Sequence, residues 1–243
     1  MMKKAIISDI HSNLEALTAV LEDIGKKGIK EIYCLGDVVG YGPNPKEAID
    51  AAKNFDLVLK GNHDYAVETG KTEDLDYLPA EAANWTRKKL SGLFDEKYKK
   101  FLRELPEKHS ENRTIFVHGS PRDPINEYIL DGIKTADIFE NYMKDTDYCF
   151  VGHTHAPGIF YYKGQEIEEI RPSENLIKLS PKMIINVGSV GQPRDNDSRA
   201  CWVSLDNDII QYHRVSYDYK KTQKKIIKAG LPGFLATRLE EGK

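Results

Sequence analysis

The segment Lys4-Ala5-Ile6-Ile7-Ser8-Asp9-Ile10-His11-Ser12-Asn13-Leu14-Glu15 opens as a strand and closes as a helix. Lys3 to Ser8 carries the apolar run, Ser12 to Glu15 has the spacing of a capping box, and Leu14, Leu17, Val20, Leu21 and Ile24 then recur at helical intervals up to Gly28. The unit repeats directly. Glu31 to Leu35 reads as a second strand, Gly36 to Gly42 as a glycine-rich turn, and Asn44-Pro45-Lys46-Glu47 as a helix start with a cap, a proline at the first helical position and an acid in the first turn. Asp56 to Lys60 is a third strand. Strand, helix, strand, helix, strand requires right-handed crossovers and a largely parallel α/β sheet, whose strand C-terminal ends are where ligands bind.

Beyond this core, residues 79–104 read as helical, with Trp85, Leu90, Leu93, Phe101 and Leu102 as the apolar positions. Arg113 to Val117 is a strand, Lys134 to Met143 a helix and Tyr148 to Val151 a strand. Gly158 to Tyr162, Met183 to Val187, Arg199 to Leu205 and Ile209 to Val215 then read as short antiparallel strands. No repeat or linker composition interrupts the 243 residues, which predicts one domain over 1–243 with a helical excursion at about 65–112. The formal net charge of -3 gives no strong nucleic-acid signal, and no apolar run is long enough for a membrane span. The basic start Met1-Met2-Lys3-Lys4 is followed by an apolar run too short for a signal peptide. Cys34, Cys149 and Cys201 lie in apolar strand-like runs without Cys-x-x-Cys spacing, as expected of buried, reduced thiols in a cytoplasmic protein.

The chemistry gathers at the strand ends. Five of the seven histidines (His11, His63, His118, His153, His155) follow the five strands of the parallel half, together with Asp9, Asp37 and Asn62. In an extended segment residues two apart face one side, so Asp9 with His11, and His153 with His155, converge. Imidazoles with carboxylate and amide oxygens, and no thiolate, suit Mn, Fe, Zn, Ni or Co. Seven such side chains are too many for one catalytic ion. They suit two divalent ions sharing a carboxylate, the arrangement that clamps a phosphoester during displacement.

Asp9-x-His11, Gly36-Asp37, Gly61-Asn62-His63-Asp64, His118 and Gly152-His153-x-His155, in this order, closely resemble the calcineurin-like metallophosphoesterase superfamily. Gly36-Asp37-Val38-Val39-Gly40-Tyr41-Gly42-Pro43, His118-Gly119-Ser120-Pro121, Asn186 through Arg194 and Lys228 through Pro232 resemble its small prokaryotic branch. The resemblance covers essentially the whole chain. It implies an α/β two-sheet sandwich flanked by helices. It also implies one metal on Asp9, His11 and His155, another on Asn62, His118 and His153, Asp37 as the bridge, and His63 as the catalytic residue that is not a ligand. Mn or Fe is the favoured occupant. The implied activity is hydrolysis of phosphodiester bonds by attack of a metal-bound hydroxide, with phosphoanhydrides and phosphomonoesters as further substrates. A small phosphoester or nucleotide is the expected partner, and the sequence leaves the oligomeric state open.

Within that class a dinucleoside polyphosphate hydrolase and a protein phosphatase are alternatives. Val38-Val39-Gly40-Tyr41 stands where protein phosphatases carry an arginine, which weighs against the latter. A non-enzymatic metal-binding scaffold is the alternative from another class, and the complete ligand set with His63 argues against it. Arg194 either contacts substrate phosphate or forms a structural ion pair, and is the only cation the sequence places near the site. Tyr41, Tyr77 and Trp85 either offer stacking surface to a substrate or cover the core. Lys220, Lys221, Lys224, Lys225 and Lys228 read as the solvated face of a C-terminal helix with Ile226 and Ile227 behind it, an anionic partner being the alternative. His109 and His213 have no partner motif and read as surface or structural histidines.

Overall fold

A computed structural model describes residues 3–130, 132–164 and 166–243, the side chains of 132–134 excepted. Met1 and Met2, and the side chain of Lys134 at the start of the expected helix, lie outside the described residues. The elements are β1 (Lys4–Ile7), α1 (Leu14–Lys26), β2 (Glu31–Cys34), α2 (Pro45–Ala52), β3 (Leu57–Val58), α3 (Asn62–Thr69), α4 (Tyr77–Lys89), α5 (Glu96–Glu104), β4 (Lys108–Glu111) and β5 (Thr114–Val117). They continue with α6 (Gly132–Asp137), extended as a π-helix over Ile138–Tyr142, then β6 (Tyr148–Val151), β7 (Gly158–Lys163), β8 (Glu166–Ile170), β9 (Leu176–Lys178), β10 (Met183–Asn186), β11 (Ala200–Asp206), β12 (Ile209–Val215), α7 (Tyr219–Lys228) and α8 (Phe234–Glu241).

Among the described residues these strands form two six-stranded mixed sheets, ordered β3-β2-β1-β11-β12-β9 and β4-β5-β6-β10-β7-β8. The parallel and antiparallel halves expected from the sequence are therefore not segregated. In the first sheet β11 pairs antiparallel with β1, and in the second β10 pairs parallel with β6. The alternation of side chains along β1 sets the layers. Ile6 points between the sheets, where it joins Tyr33, Leu35, Phe116, Phe150, Ile185, Val203 and Tyr212. Ala5 and Ile7 point the other way, into the cluster that Leu17, Val20 and Ile24 of α1, Ala48 and Ile49 of α2 and Leu102 of α5 build over the first sheet. On the far face of the second sheet Ile115, Val117, Cys149 and Val151 pack against Ile138, Phe139 and Met143. The result is the helix-sheet-sheet-helix sandwich.

Several local expectations are corrected. Asn13, not Ser12, caps α1: its side chain accepts from Ala16 N, and Glu15 instead binds Lys225 at 2.6 Å and Lys221 at 3.3 Å. Two lysines of the C-terminal run are thus bound to the first helix instead of being free in solvent, and Ile227, expected behind them, is exposed. Asn44 makes no side-chain cap to α2. The helical excursion begins at Asn62 and ends by Glu104; Lys108–Glu111, inside the range assigned to it, is a strand on β5. Leu93, read as a core position, is 90% exposed. Two further strands, β8 and β9, went unread because Glu166-Ile167-Glu168-Glu169-Ile170 and Leu176-Ile177-Lys178 bury little and show no sustained alternation. All three cysteines are buried and unpaired. No helix among the described residues is long and apolar enough to cross a membrane.

His213 is structural, as expected: it stacks on Trp202 at 4.1 Å, and Nε2 lies 2.9 Å from Ser204 Oγ. Burial lowers its pKa to about 4, so the unfolded chain binds a proton between about pH 6.5 and 4 that the folded one refuses. Stability contributed by neutral His213 is complete above pH 6.5 and declines as the pH falls to 4. Urea titrations across this interval should show a loss for the wild type that is about 1–3 kcal/mol larger than for His213→Gln; equal slopes would contradict this role.

Candidate metal centre

Five loops leave the C-terminal ends of β1, β2, β3, β5 and β6 and meet above the two sheets. The close residues are not held as extended pairs, contrary to the sequence argument. Asp9 (φ 54°), His11 (φ 48°), Asp37 (φ 53°), His153 (φ 66°) and His155 (φ 61°) all occupy the left-handed region. That conformation costs of order 1–3 kcal/mol for a residue other than glycine and persists only when neighbours enforce it. The enforcement is visible as cross-loop hydrogen bonds: Asp9 N to Gly36 O (3.0 Å), His11 N to Asp37 O (2.9 Å), Gly152 N to His118 O (3.0 Å) and Gly191 N to Asp9 O (2.8 Å). Two contacts require glycine. A Cβ on Gly61 would lie 2.0 Å from Asp37 Oδ1, and one on Gly191 would lie 1.9 Å from the Ile10 carbonyl.

The side chains form two groups joined by one carboxylate. Ligand atoms of Asp9, His11, Asp37 and His155 lie within 4.8 Å of one another, as do those of Asp37, His118 and His153. Asn62 Oδ1 is 3.2 Å from His118 Nε2, so Asn62 belongs to the second group. Asp37 Oδ2 stands between them, 3.5 Å from His11 Nε2 and 3.4 Å from His118 Nε2, while its Oδ1 accepts from His63 N at 2.8 Å.

The protons say what the groups are for. His11 Nδ1 faces the Val39 carbonyl (3.1 Å), His118 Nδ1 the Leu35 carbonyl (3.1 Å), His155 Nδ1 the Gln192 carbonyl (2.7 Å) and His153 Nε2 the Asn126 carbonyl (3.0 Å). Each of these nitrogens must donate, because a carbonyl only accepts. In the neutral ring the opposite nitrogen is then a bare lone pair. His11 Nε2 faces His155 Nε2 at 3.0 Å, and His118 Nε2 faces His153 Nδ1 at 3.0 Å. Burial holds His11 and His155 well below the ordinary histidine pKa and lowers His153 to about 3, so no proton separates the first pair. Burial opposes charge on His118 too, but the Asp37 carboxylate outweighs it and lifts the pKa to about 9. Asp9 Oδ1 is buried with no hydrogen-bond partner. The facing lone pairs of His11 and His155, an orphaned carboxylate oxygen and, around His118, a carboxylate field that favours positive charge fit divalent cations, with the far-side carbonyls fixing each ring.

His63, on the first turn of α3, is adjacent without joining either group. Its ring packs against Tyr41 (4.4 Å) and His11 (4.9 Å), and its Nδ1 is buried without a partner. Tyr41 is itself buried over His11 and His63, so it covers the site and offers no open face. Arg194 reaches Gln192 Oε1 (2.7 Å) and the Tyr41 hydroxyl (3.4 Å); among the described residues its buried Nε has no partner and it forms no carboxylate pair. Tyr77 is 78% exposed, and Trp85 Nε1 donates to the Ala229 carbonyl.

Three contributors escaped sequence reading. Arg238 on α8 is a second guanidinium near Arg194: burial first, then Arg194, lowers its pKa to about 10. Tyr128 stacks on His153 at 3.8 Å. Asp64 is wholly buried and accepts from Val38 N (3.3 Å), Val39 N (3.1 Å) and Gly61 N (3.1 Å), tying the Asp37 loop to the Asn62 loop. Only for Asp64, inside the Gly-Asn-His-Asp motif, was there a signal.

The sequence model of the calcineurin-like phosphoesterase superfamily domain matches residues 2–208. The chain belongs to that superfamily, a class of metal-dependent phosphoric ester hydrolases. It is 41% identical over 250 aligned positions to the uncharacterized protein MJ0912 of Methanocaldococcus jannaschii, with 98% of each chain covered. Among solved structures it resembles a metallophosphoesterase from Sphaerobacter thermophilus (38% identity, TM-score 0.87, 100% of this chain and 99% of the other). The hypothetical protein PH1004 of Pyrococcus horikoshii OT3 shares the fold at 22% identity (TM-score 0.80, with 100% and 99% covered).

Asp64→Ala leaves three buried amides unpaired, at about 1–3 kcal/mol each before relaxation. Denaturant unfolding should register a loss of about 3 kcal/mol, and calorimetry a metal affinity 10–100-fold weaker. Wild-type values for both would show that Asp64 does not hold the loops.

Proposed function

We propose that the protein is a phosphoesterase working with two divalent transition ions, and that phosphodiesters are its preferred substrates. The observation that carries this reading is the position of Asp37 Oδ2 between two sets of histidine ligand atoms, 3.5 Å from His11 Nε2 and 3.4 Å from His118 Nε2. In the proposal Asp9, His11 and His155 hold one ion, Asn62, His118 and His153 the other, and Asp37 both. Mn or Fe is favoured by the mixed imidazole and oxygen set. When bound, two such ions supply Lewis-acid charge to the phosphoryl oxygens and make water nucleophilic at neutral pH.

The chain's own residues do the rest. Each of the four facing imidazoles commits one ring nitrogen to a backbone carbonyl, whereas His63 Nδ1 has no hydrogen-bond partner among the described residues, which leaves His63 to give a proton to the leaving oxygen. Arg194, which has no carboxylate partner among the described residues, is the residue assigned in this reading to a phosphoryl oxygen. The preference for diesters is supported by a cavity of about 310 Å³ beside Asn62 and Tyr65. Asp74, Glu107 and Asp123 line it against one cation, Lys71. Such a wall accommodates an uncharged ester group better than further negative charge. A phosphoanhydride such as a dinucleoside polyphosphate is a second reading, favoured by Arg238 beside Arg194.

His63→Ala should retain its metal and lose 10²–10⁴-fold in turnover on alkyl esters, with a smaller loss on p-nitrophenyl esters, whose leaving group needs little protonation. Metal loss matching that of His118→Ala would overturn the assignment. With one metal throughout, kcat/KM should be higher for bis-p-nitrophenyl phosphate than for p-nitrophenyl phosphate. A monoester preference retained in Arg194→Ala would contradict the diester reading.

A further inference from the structure

Tyr128 is nearly half exposed, yet it is one of the better-anchored aromatic rings of the molecule. One face lies on His153, with centroids 3.8 Å apart and planes 21° from parallel. The loop that carries it is folded onto itself: Gly119 N donates to Pro124 O (2.7 Å), Ser120 N to Asp123 O (3.0 Å), and Asp123 Oδ1 accepts from Ile125 N and Asn126 N. Arg122 closes the loop through Glu127 and Asp137. The Asn126 carbonyl, two residues before Tyr128, fixes the His153 ring. The ring is therefore held against the second ligand group while nearly half of the residue stays exposed. Tyr41, the other tyrosine at the centre, has no open face. Burial raises the Tyr128 hydroxyl to about 12, with Tyr41, Asp37 and Asp9 adding to the rise and Arg194 opposing it.

We propose that the open face of Tyr128 is a stacking platform that selects phosphoesters bearing a planar aromatic substituent, an aryl group or a nucleobase, over saturated ones of the same size. An aromatic ring is recognised by the quadrupole of another, and a preorganised tyrosine loses little entropy on contact. The inference rests on the phosphoesterase reading and names the substrate class for that site.

The test uses the manganese-loaded full chain and two non-hydrolysable probes of equal size, phenylphosphonate and cyclohexylphosphonate, with binding read by calorimetry. The wild type should bind the phenyl compound about 5–10-fold more tightly, the range of a good aromatic pair. The ratio should fall to within twofold in Tyr128→Leu, which still covers His153, and in Tyr128→Ala, and should persist in Tyr128→Phe. Metal content is measured for every variant, so that loss of the His153 contact is separated from loss of the platform. A wild-type ratio near one, or a ratio unchanged in Tyr128→Leu, overturns the platform while leaving the phosphoesterase reading intact. A wild type that binds neither phosphonate overturns the platform, and failure to hydrolyse any phosphoester refutes that reading and the platform with it.

Discussion

Two pairs of imidazole nitrogens face each other at 3.0 Å, each ring having committed its other nitrogen to a backbone carbonyl. Like dipoles at that distance repel unless positive charge lies between or beside them, and in the first pair burial keeps a proton from supplying it. The neighbouring carboxylates extend the demand, Asp9 with an oxygen that no hydrogen bond among the described residues satisfies and Asp37 with one poised between the groups. A buried arrangement of this kind is costly in isolation. Bound cations would relieve that cost, and the remainder of the structure holds the arrangement assembled.

The holding is shared between sheets. β1, β2 and β3 belong to one sheet and β5 and β6 to the other, so the two ligand groups draw on both layers of the sandwich. Strain at Asp9, His11, Asp37, His153 and His155 is balanced by hydrogen bonds between loops, and Asp64 and the glycines at 61 and 191 let those loops touch. The C-terminal helices close the arrangement. Leu235 and Leu239 of α8 pack with Tyr41, and Thr222 Oγ1 of α7 donates to Asn13 Oδ1 at 3.0 Å while Asn13 Nδ2 donates to the Gly191 carbonyl at 2.8 Å. Tyr41, fixed in this way, covers His11 and His63.

Much of this was legible in the sequence because strands that end in Asp, Asn or His advertise both their boundary and their chemistry. The seven candidate ligands all reach the two groups, and His63 lies beside them. The reason given for convergence was nevertheless wrong at Asp9-x-His11 and His153-x-His155, where left-handed turns, not extended backbone, aim the rings. That difference is invisible to a pattern of residue types, since nothing in Asp, Ile and His requires positive φ. Tyr128 and Arg238 were missed for a related reason. Each reaches the centre through tertiary packing of a loop or a terminal helix, and neither stands in a periodic or motif context. The polar strands β8 and β9 show the same limit, being defined by their hydrogen-bonded neighbours more than by their own hydrophobicity.

Two cations held by the two ligand groups would explain why these buried side chains face one another. Anomalous diffraction from crystals of the manganese-loaded protein, collected on both sides of the manganese edge, tests this occupancy directly. Two peaks are predicted, one within bonding distance of Asp9, His11 and His155, the other of Asn62, His118 and His153, with Asp37 touching both. A single peak, or manganese bound elsewhere with His11 Nε2 still facing His155 Nε2 across an empty gap, would contradict it.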